Sequence, residues 1–334
     1  MTLHINRLRS GGLITNYYCT SECGHCLYRC SPAWPRDYIT PESARSLLRT
    51  VLRLGCREIH IGGGEPCLQP EGLCAVLDAA RETGIGVEYV ETNSSWYRSP
   101  EQARSFLERL RRHGLHTLLV SISPFHNEFI PLAKVRGVLE ACRDTGMGVF
   151  PWIPDFLRDL GAFDPDRPHR LMEYAELFGE GYLESLPQRY WIAGGGRALE
   201  TFGRFRPRRS AAAIAAEQNR GCGELREVGH FHVDLYGNYV PGLCAGFAIR
   251  HTDLGAPLPE TEYPLLTRAA GRGIGAVLAY ASAEQGFLPD EAGYASKCHL
   301  CYAIRRFLVQ ERNLDSPELQ PRRHYAGDAL PGSP

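Results

Sequence analysis

Cys19, Cys23 and Cys26 stand in the spacing CxxxCxxC, within Cys19-Thr20-Ser21-Glu22-Cys23-Gly24-His25-Cys26. Three thiolates this close along a chain can wrap a compact iron–sulfur cluster. On a four-iron cluster they leave one iron without a protein donor, an open position of the kind that binds substrate at a catalytic zinc. The same residues with His25 or Cys30 would equally suit a structural zinc knot. Further on, Ile61-Gly62-Gly63-Gly64-Glu65-Pro66 closes the apolar segment Glu58 to Ile61, and glycines there let a backbone approach a ligand closely. A second group, Cys222, Cys244, Cys298 and Cys301, comprises every cysteine of the C-terminal third, the last two as a CxxC pair. Four thiolates fit either an iron–sulfur cluster or zinc.

The elements that must position these groups are legible as helix followed by strand. Thr40 caps a helix with Pro41 at its first position and Ala44, Leu47, Leu48 and Val51 on one face, closed by Gly55. The strand Glu58 to Ile61 follows, then a helix with Leu73, Val76, Leu77 and Ala80 on one stripe, ended by Gly84, then the strand Val87 to Val90. Ser99-Pro100-Glu101-Gln102 is a capping box opening a helix that buries Ala103, Phe106, Leu107 and Leu110. Thr117 to Val120 is the next strand, and Val135, Val138, Leu139 and Cys142 form another stripe before Gly146. A strand near Leu13 to Tyr17 would present the first cysteine loop. Repeated strand and helix imply a parallel sheet or barrel, because parallel strands need crossover helices. Residues 76–87 and 138–149 echo one another, which puts Cys142 where Ala80 sits, on a buried stripe; Cys56 follows Gly55 as Leu115 follows Gly114. Both cysteines read as core residues, and Cys67 as a packed loop residue behind the glycines.

After about residue 205 the pattern changes. Arg206 to Arg209 is a basic, proline-broken stretch that reads as a linker. Phe231 to Val240 alternates like strands around Gly237-Asn238. Helices are expected near Leu265 to Ala283 and Ala303 to Glu311, and a loose tail from about Pro317. The expected division is a core over 1–205, a module over 206–312 and a flexible tail over 313–334.

With 37 Lys and Arg against 38 Asp and Glu, there is no general pull toward nucleic acid or an anionic membrane. No apolar run is long enough to cross a bilayer, and the N-terminus lacks a secretory signal, so the cytoplasm is the expected location. Twelve cysteines there are expected as metal ligands, catalytic groups or small core residues rather than a disulfide framework.

Taken in order on these elements, CxxxCxxC followed by Gly63-Gly64-Glu65-Pro66 resembles the radical S-adenosylmethionine (SAM) superfamily over roughly residues 10–200. The resemblance implies an α/β fold, a partial (β/α)6 barrel, with a [4Fe–4S] cluster on Cys19, Cys23 and Cys26 and SAM on its open iron. It implies SAM contacts from Gly63, Gly64 and Glu65, from Thr92 and Asn93 at the next strand end (Ser94 replacing a usual glycine), from Ser121 and Ser123, and from Arg197 in a Gly-Arg-Ala stretch. His25 stands where a large aromatic residue is usual. The C-terminal group resembles SPASM and twitch modules, which implies a small α+β auxiliary module with one further [4Fe–4S] cluster on Cys222, Cys244, Cys298 and Cys301.

The implied activity is reductive cleavage of SAM to a 5′-deoxyadenosyl radical that abstracts hydrogen from a small metabolite or a peptide. The electron comes from an external low-potential donor of flavodoxin or ferredoxin type. Phe125 to Phe129 is expected near the substrate. Only eighteen residues precede Cys19, which weighs against a leader-binding domain. Two other readings stand beside this one: a non-catalytic zinc- or iron–sulfur-binding protein, and an electron carrier that never cleaves SAM.

Overall fold

The computed structural model describes residues 3–151, 155–189, 192–218 and 220–326. Eight strands make one sheet: β1 (Gly11–Ile14), β2 (Glu58–Gly62), β3 (Gly86–Thr92), β4 (Thr117–Val120), β5 (Gly148–Pro151), β6 (Phe231–Asp234), β7 (Asn238–Val240) and β8 (Ile249–Arg250). Their order is β5-β4-β3-β2-β1-β6-β7-β8. The first five are parallel. They are joined by the long helices Pro41–Arg53, Pro70–Thr83, Pro100–Arg112 and Leu132–Thr145.

Local chemistry explains these starts. The Thr40 hydroxyl accepts from the Ser43 N–H at 3.2 Å, with Pro41 supplying a first turn that needs no donor. Ser99 accepts from Gln102 N–H at 3.2 Å, while the Gln102 amide reaches back past the cap to Arg98 N–H, at 3.2 Å. The expected apolar stripes are buried. Cys142, Ala80, Cys56 and Leu115 are all in the core, as the internal echo requires.

The partial β/α barrel with a mixed α/β C-terminal part is the observed architecture, with differences of detail. β1 ends at Ile14, three residues short of Tyr17. Among the described residues no strand lies between β5 and β6, and residues 190–191, just ahead of the Gly-Gly-Arg stretch, lie outside the described set. The sixth parallel strand is β6, which pairs not with β5 but with β1, at the other side of the sheet. The Phe231–Val240 hairpin is therefore part of the same sheet as the barrel strands. The helical stretch from Leu265 is two helices, Pro264–Arg272 and Ile274–Gln285, and the CxxC pair opens a third, Lys297–Gln310.

The expected loose tail is corrected as far as residue 326. Leu319, His324 and Tyr325 are buried, and so is Glu318. The Glu318 carboxylate accepts from the Leu265 and Leu266 N–H groups at 2.9 and 2.7 Å. It thus caps a helix start some fifty residues away, where orphan donors and the helix dipole favour an anion. Composition marked this stretch as disordered, but one buried carboxylate and two apolar side chains anchor it. Residues 327–334 lie outside the described set. Replacing Glu318 by Ala leaves two buried N–H groups unpaired and is expected to cost roughly 1–3 kcal/mol. Urea unfolding measures this, and an unchanged midpoint would show the tail to be dispensable.

Candidate functional site

The first cysteine loop and the glycine loop are laid backbone to backbone. Gly64 N–H donates to Asn16 O at 2.7 Å and Glu65 N–H to Tyr18 O at 3.1 Å. The Asn16 amide bridges both sides, donating to Tyr18 O and Glu65 O at 3.0 and 3.3 Å. A Cβ on Gly64 would lie 2.0 Å from Tyr18 O, so any larger residue would pry the loops apart. This seam brings Cys19, Cys23 and Cys26 to one wall of a cavity of about 1080 Å³, mouth included, with Gly63, Gly64 and Glu65 beside them.

A second clamp holds the loop from below. Gly196 takes a left-handed backbone (φ +56°), and a Cβ there would meet Cys26 O and Leu27 O at 2.3 and 2.2 Å. The next residue, Arg197, donates its backbone N–H to Cys26 O at 3.1 Å. Its guanidinium donates to Cys23 O at 2.9 Å and Cys30 O at 2.5 Å. Arg197 is buried and does not line the cavity. Its observed contacts fix the cysteine loop, whereas the resemblance had placed it on SAM.

The other expected contacts divide. Thr92, Asn93 and Ser121 line the cavity. Thr92 Oγ donates to Glu65 Oε1 at 2.9 Å, and Asn93 N–H donates to Glu65 Oε2 at 2.6 Å, so Glu65 braces the end of β3. The Asn93 amide also donates to the Cys19 sulfur at 3.4 Å. Ser94, in the glycine position, has a left-handed backbone (φ +69°). Ser123 is buried away from the cavity and caps the short helix Pro124–Asn127. From that helix only His126 reaches the cavity wall. His25 packs against Phe125, ring centroids 4.6 Å apart, and against His126. Cys67 is buried outside the cavity, while Cys30 is set between the two loops with its thiol 3.7 Å from Gly63 O.

Burial dominates the electrostatics. It pushes the Cys19 thiol up to about 12 and Cys23 well above the usual thiol range. Cys26 moves down instead, because the Cys30 thiol hydrogen-bonds it and Arg197 lies near. Burial raises Glu65 to about 7 in spite of three donors. Glu91 rises to about 7 through burial and the nearby Glu65 carboxylate. His25 and His126 are held neutral by burial, His126 at about 4. Buried thiols that resist ionisation are stable as thiolates only beside a strong positive charge, such as iron.

The second cysteine set also converges. Cys222, Cys244, Cys298 and Cys301 line one cavity of about 590 Å³, together with Lys297 and Arg305. Cys222 is placed by its N–H donating to Ala269 O at 2.9 Å. Cys298 and Cys301 lie on the first turns of their helix, whose cap Ser296 accepts from His299 N–H at 3.1 Å. Burial pushes Cys222 up to about 11. Lys297 and Arg305 supply positive charge beside four sulfurs that would carry negative charge once ionised. A single tetrahedral zinc holds its sulfurs about 3.8 Å apart. Among the described residues, neither cysteine set gathers three ligand atoms within 4.8 Å of one another.

Sequence reasoning missed His60, His230 and His232, whose ligand nitrogens do gather within 4.8 Å. The signal was His-x-His at the start of β6, with His230 just ahead of the strand and His232 within it; alternate residues of extended chain share a face.

Residues 13–147 match the family model described as Radical SAM superfamily. That segment holds both the cysteine loop and the glycine loop. It is similar to the GTP 3′,8-cyclase of Tolumonas auensis, 29% identical over 107 residues that make up 31% of this chain and 30% of that protein. The match thus spans under a third of that relative's length. Native anSMEcpe with bound AdoMet aligns at 12% identity over 91% of this chain and 98% of that one, TM-score 0.46. BtrN in complex with AdoMet and 2-DOIA aligns at 12% identity over 82% and 91%, TM-score 0.43. No described helix is long and apolar enough to cross a membrane.

Arg197→Ala removes the donor to two buried carbonyls, at an expected cost of roughly 1–3 kcal/mol for each. It is expected to lower iron loading at the first set, with Arg197→Lys intermediate because it lacks the planar fork. Iron per chain after reconstitution reads this out, and full loading of the Ala variant would refute the clamp.

Proposed function

We propose that this chain is a radical SAM enzyme that cleaves SAM reductively and takes a hydrogen atom from a small metabolite or peptide. The observation that carries this reading is the joining of Cys19, Cys23 and Cys26 to Gly63-Gly64-Glu65 on one cavity, within the segment matched by the family model. When bound there, a [4Fe–4S] cluster with SAM supplies electron transfer into the sulfonium, releasing methionine and a 5′-deoxyadenosyl radical. An external flavodoxin- or ferredoxin-type donor would provide the electron.

The chain's own residues do the positioning. Cys19, Cys23 and Cys26 hold the cluster. Hydrogen bonds to Cys19 from Ser21 N–H and the Asn93 amide, and to Cys26 from Cys30 N–H, tune its potential. Gly63, Gly64 and Glu65 offer backbone oxygens and one carboxylate to the SAM ammonium. Thr92, Asn93 and Ser121 present polar groups beside it. Cys222, Cys244, Cys298 and Cys301 hold a twitch-like auxiliary cluster; four protein ligands leave it closed, which favours electron transfer over direct binding of substrate.

Anaerobic reconstitution with iron and sulfide, followed by dithionite and SAM, tests the reading. About eight irons per chain and 5′-deoxyadenosine are expected. Cys26→Ala should abolish the nucleoside. Cys298→Ala should lose about four irons yet still cleave SAM without coupling. Wild-type cleavage in Cys26→Ala would sink the assignment, and full iron in Cys298→Ala would sink the auxiliary site.

A pH dependence follows from Glu65. Its folded pKa lies near 7, above the ordinary carboxylate value, so the carboxyl is neutral below that pH and charged above it. An ammonium is attracted only to the charged form. SAM binding is therefore expected to strengthen as pH rises through about 7, by up to roughly tenfold per unit below it. Glu65→Gln should flatten the profile. Equal affinity at pH 6 and 8 in the wild type would contradict this role.

A further inference from the structure

The cavity has a second set of metal-type donors, none of them a cysteine. Gly12 on β1 is in register with His60 on β2 and with His232 on β6. The His60 imidazole fills the space a side chain at Gly12 would take, and the His232 ring meets it there. A Cβ there would lie 2.3 Å from His60 Nε2. The two Nε2 atoms are 3.0 Å apart. His230, two residues before His232 on the same face, completes a trio whose donor nitrogens all lie within 4.8 Å of one another. His60 and His232 are buried and His230 is half-buried. His230 and His232 line the same cavity as Cys19, Cys23 and Cys26.

We propose that His60, His230 and His232 bind one first-row divalent transition ion, zinc-like in its preference for imidazole, in the wall of the cavity. Three neutral imidazoles are the donor set of an open zinc site, and zinc–nitrogen bonds of about 2.0–2.1 Å put ligand nitrogens about 3.3 Å apart; His60 and His232 stand at 3.0 Å and His230 within 4.8 Å of both. Burial holds all three rings below the ordinary histidine range, so they offer lone pairs rather than repelling a cation. The outer ring nitrogen of His232 has a partner, Tyr28 Oη at 2.7 Å, which orients its Nε2 inward. Tyr89 stacks on His60 with centroids 5.2 Å apart. The Glu91 carboxylate, 3.9 Å from His60 Nε2, sets negative charge beside the trio. Three protein donors are one short of a tetrahedral set, which leaves a position for water or an oxygen or nitrogen donor of whatever occupies the cavity. A metal-free chain, Tyr28 to His232 to His60, is the competing account of the same short distances.

The test uses the full chain with its iron–sulfur content restored, exposed to one equivalent of zinc alone and passed through gel filtration. Zinc and iron are counted in the same sample, and zinc-edge X-ray absorption is recorded. About one zinc per chain with nitrogen neighbours near 2.0–2.1 Å is expected. His230→Gln, at the least buried ligand, should weaken zinc binding at least tenfold and Tyr28→Phe about tenfold, with iron unchanged. No retained zinc, zinc bound through sulfur near 2.3 Å, or equal affinity in His230→Gln would each overturn the site. The absorption spectrum needs only the wild-type chain, so a misfolded variant does not decide the matter. None of these readouts depends on SAM cleavage.

Discussion

The cavity depends on one backbone seam, in which Asn16 to Tyr18 hydrogen-bond to Gly64 and Glu65 at the ends of adjacent parallel strands. Such a seam forms only where two strand ends sit side by side and one loop lacks a side chain. It converts a sequence spacing into a fixed position, because the cysteines follow directly from Tyr18. Glu65 carries the constraint one strand further through Thr92 and Asn93, so the ends of three neighbouring strands are tied together. Preorganisation of this kind lets a bound cofactor meet donors that need little rearrangement.

Much of this was legible in the sequence because the signals are local. The cysteine spacing, the glycine run and the caps at Thr40 and Ser99 each act within a few residues. What stayed hidden needs tertiary information. Arg197 reads as a ligand contact in isolation; its role as a clamp appears only when the chain is seen returning beneath Cys23 and Cys30. The histidine trio requires knowing that β1 lies between β2 and β6, a pairing between residues more than two hundred positions apart. Composition is blind to single anchors, and Glu318 is one carboxylate in a stretch otherwise suited to disorder.

The two cysteine sets have different polar surroundings. In the first, backbone and amide N–H groups point at sulfur, and Arg197 lies close to the loop. Beside the second stand two cationic side chains: Lys297, bridged to Glu224 at 2.6 Å, and Arg305, which donates to Ala245 O and Tyr325 Oη at 3.0 and 2.9 Å. Arg305 also ties the second set to the docked C-terminal stretch, so the segment from 313 to 326 belongs to the site's scaffold.

The pairing of β6 with β1 has an evolutionary reading. The strand that launches the first cysteine loop, Gly-Gly-Leu-Ile, is fully buried and has a neighbour on each side. Without the C-terminal third, β1 would become an exposed, apolar sheet edge, a template for pairing between chains. The two parts are thus poor candidates for free shuffling. A lineage that exchanged the second cysteine module for another would have to bring along a strand able to cover β1, or tolerate a protein prone to aggregate.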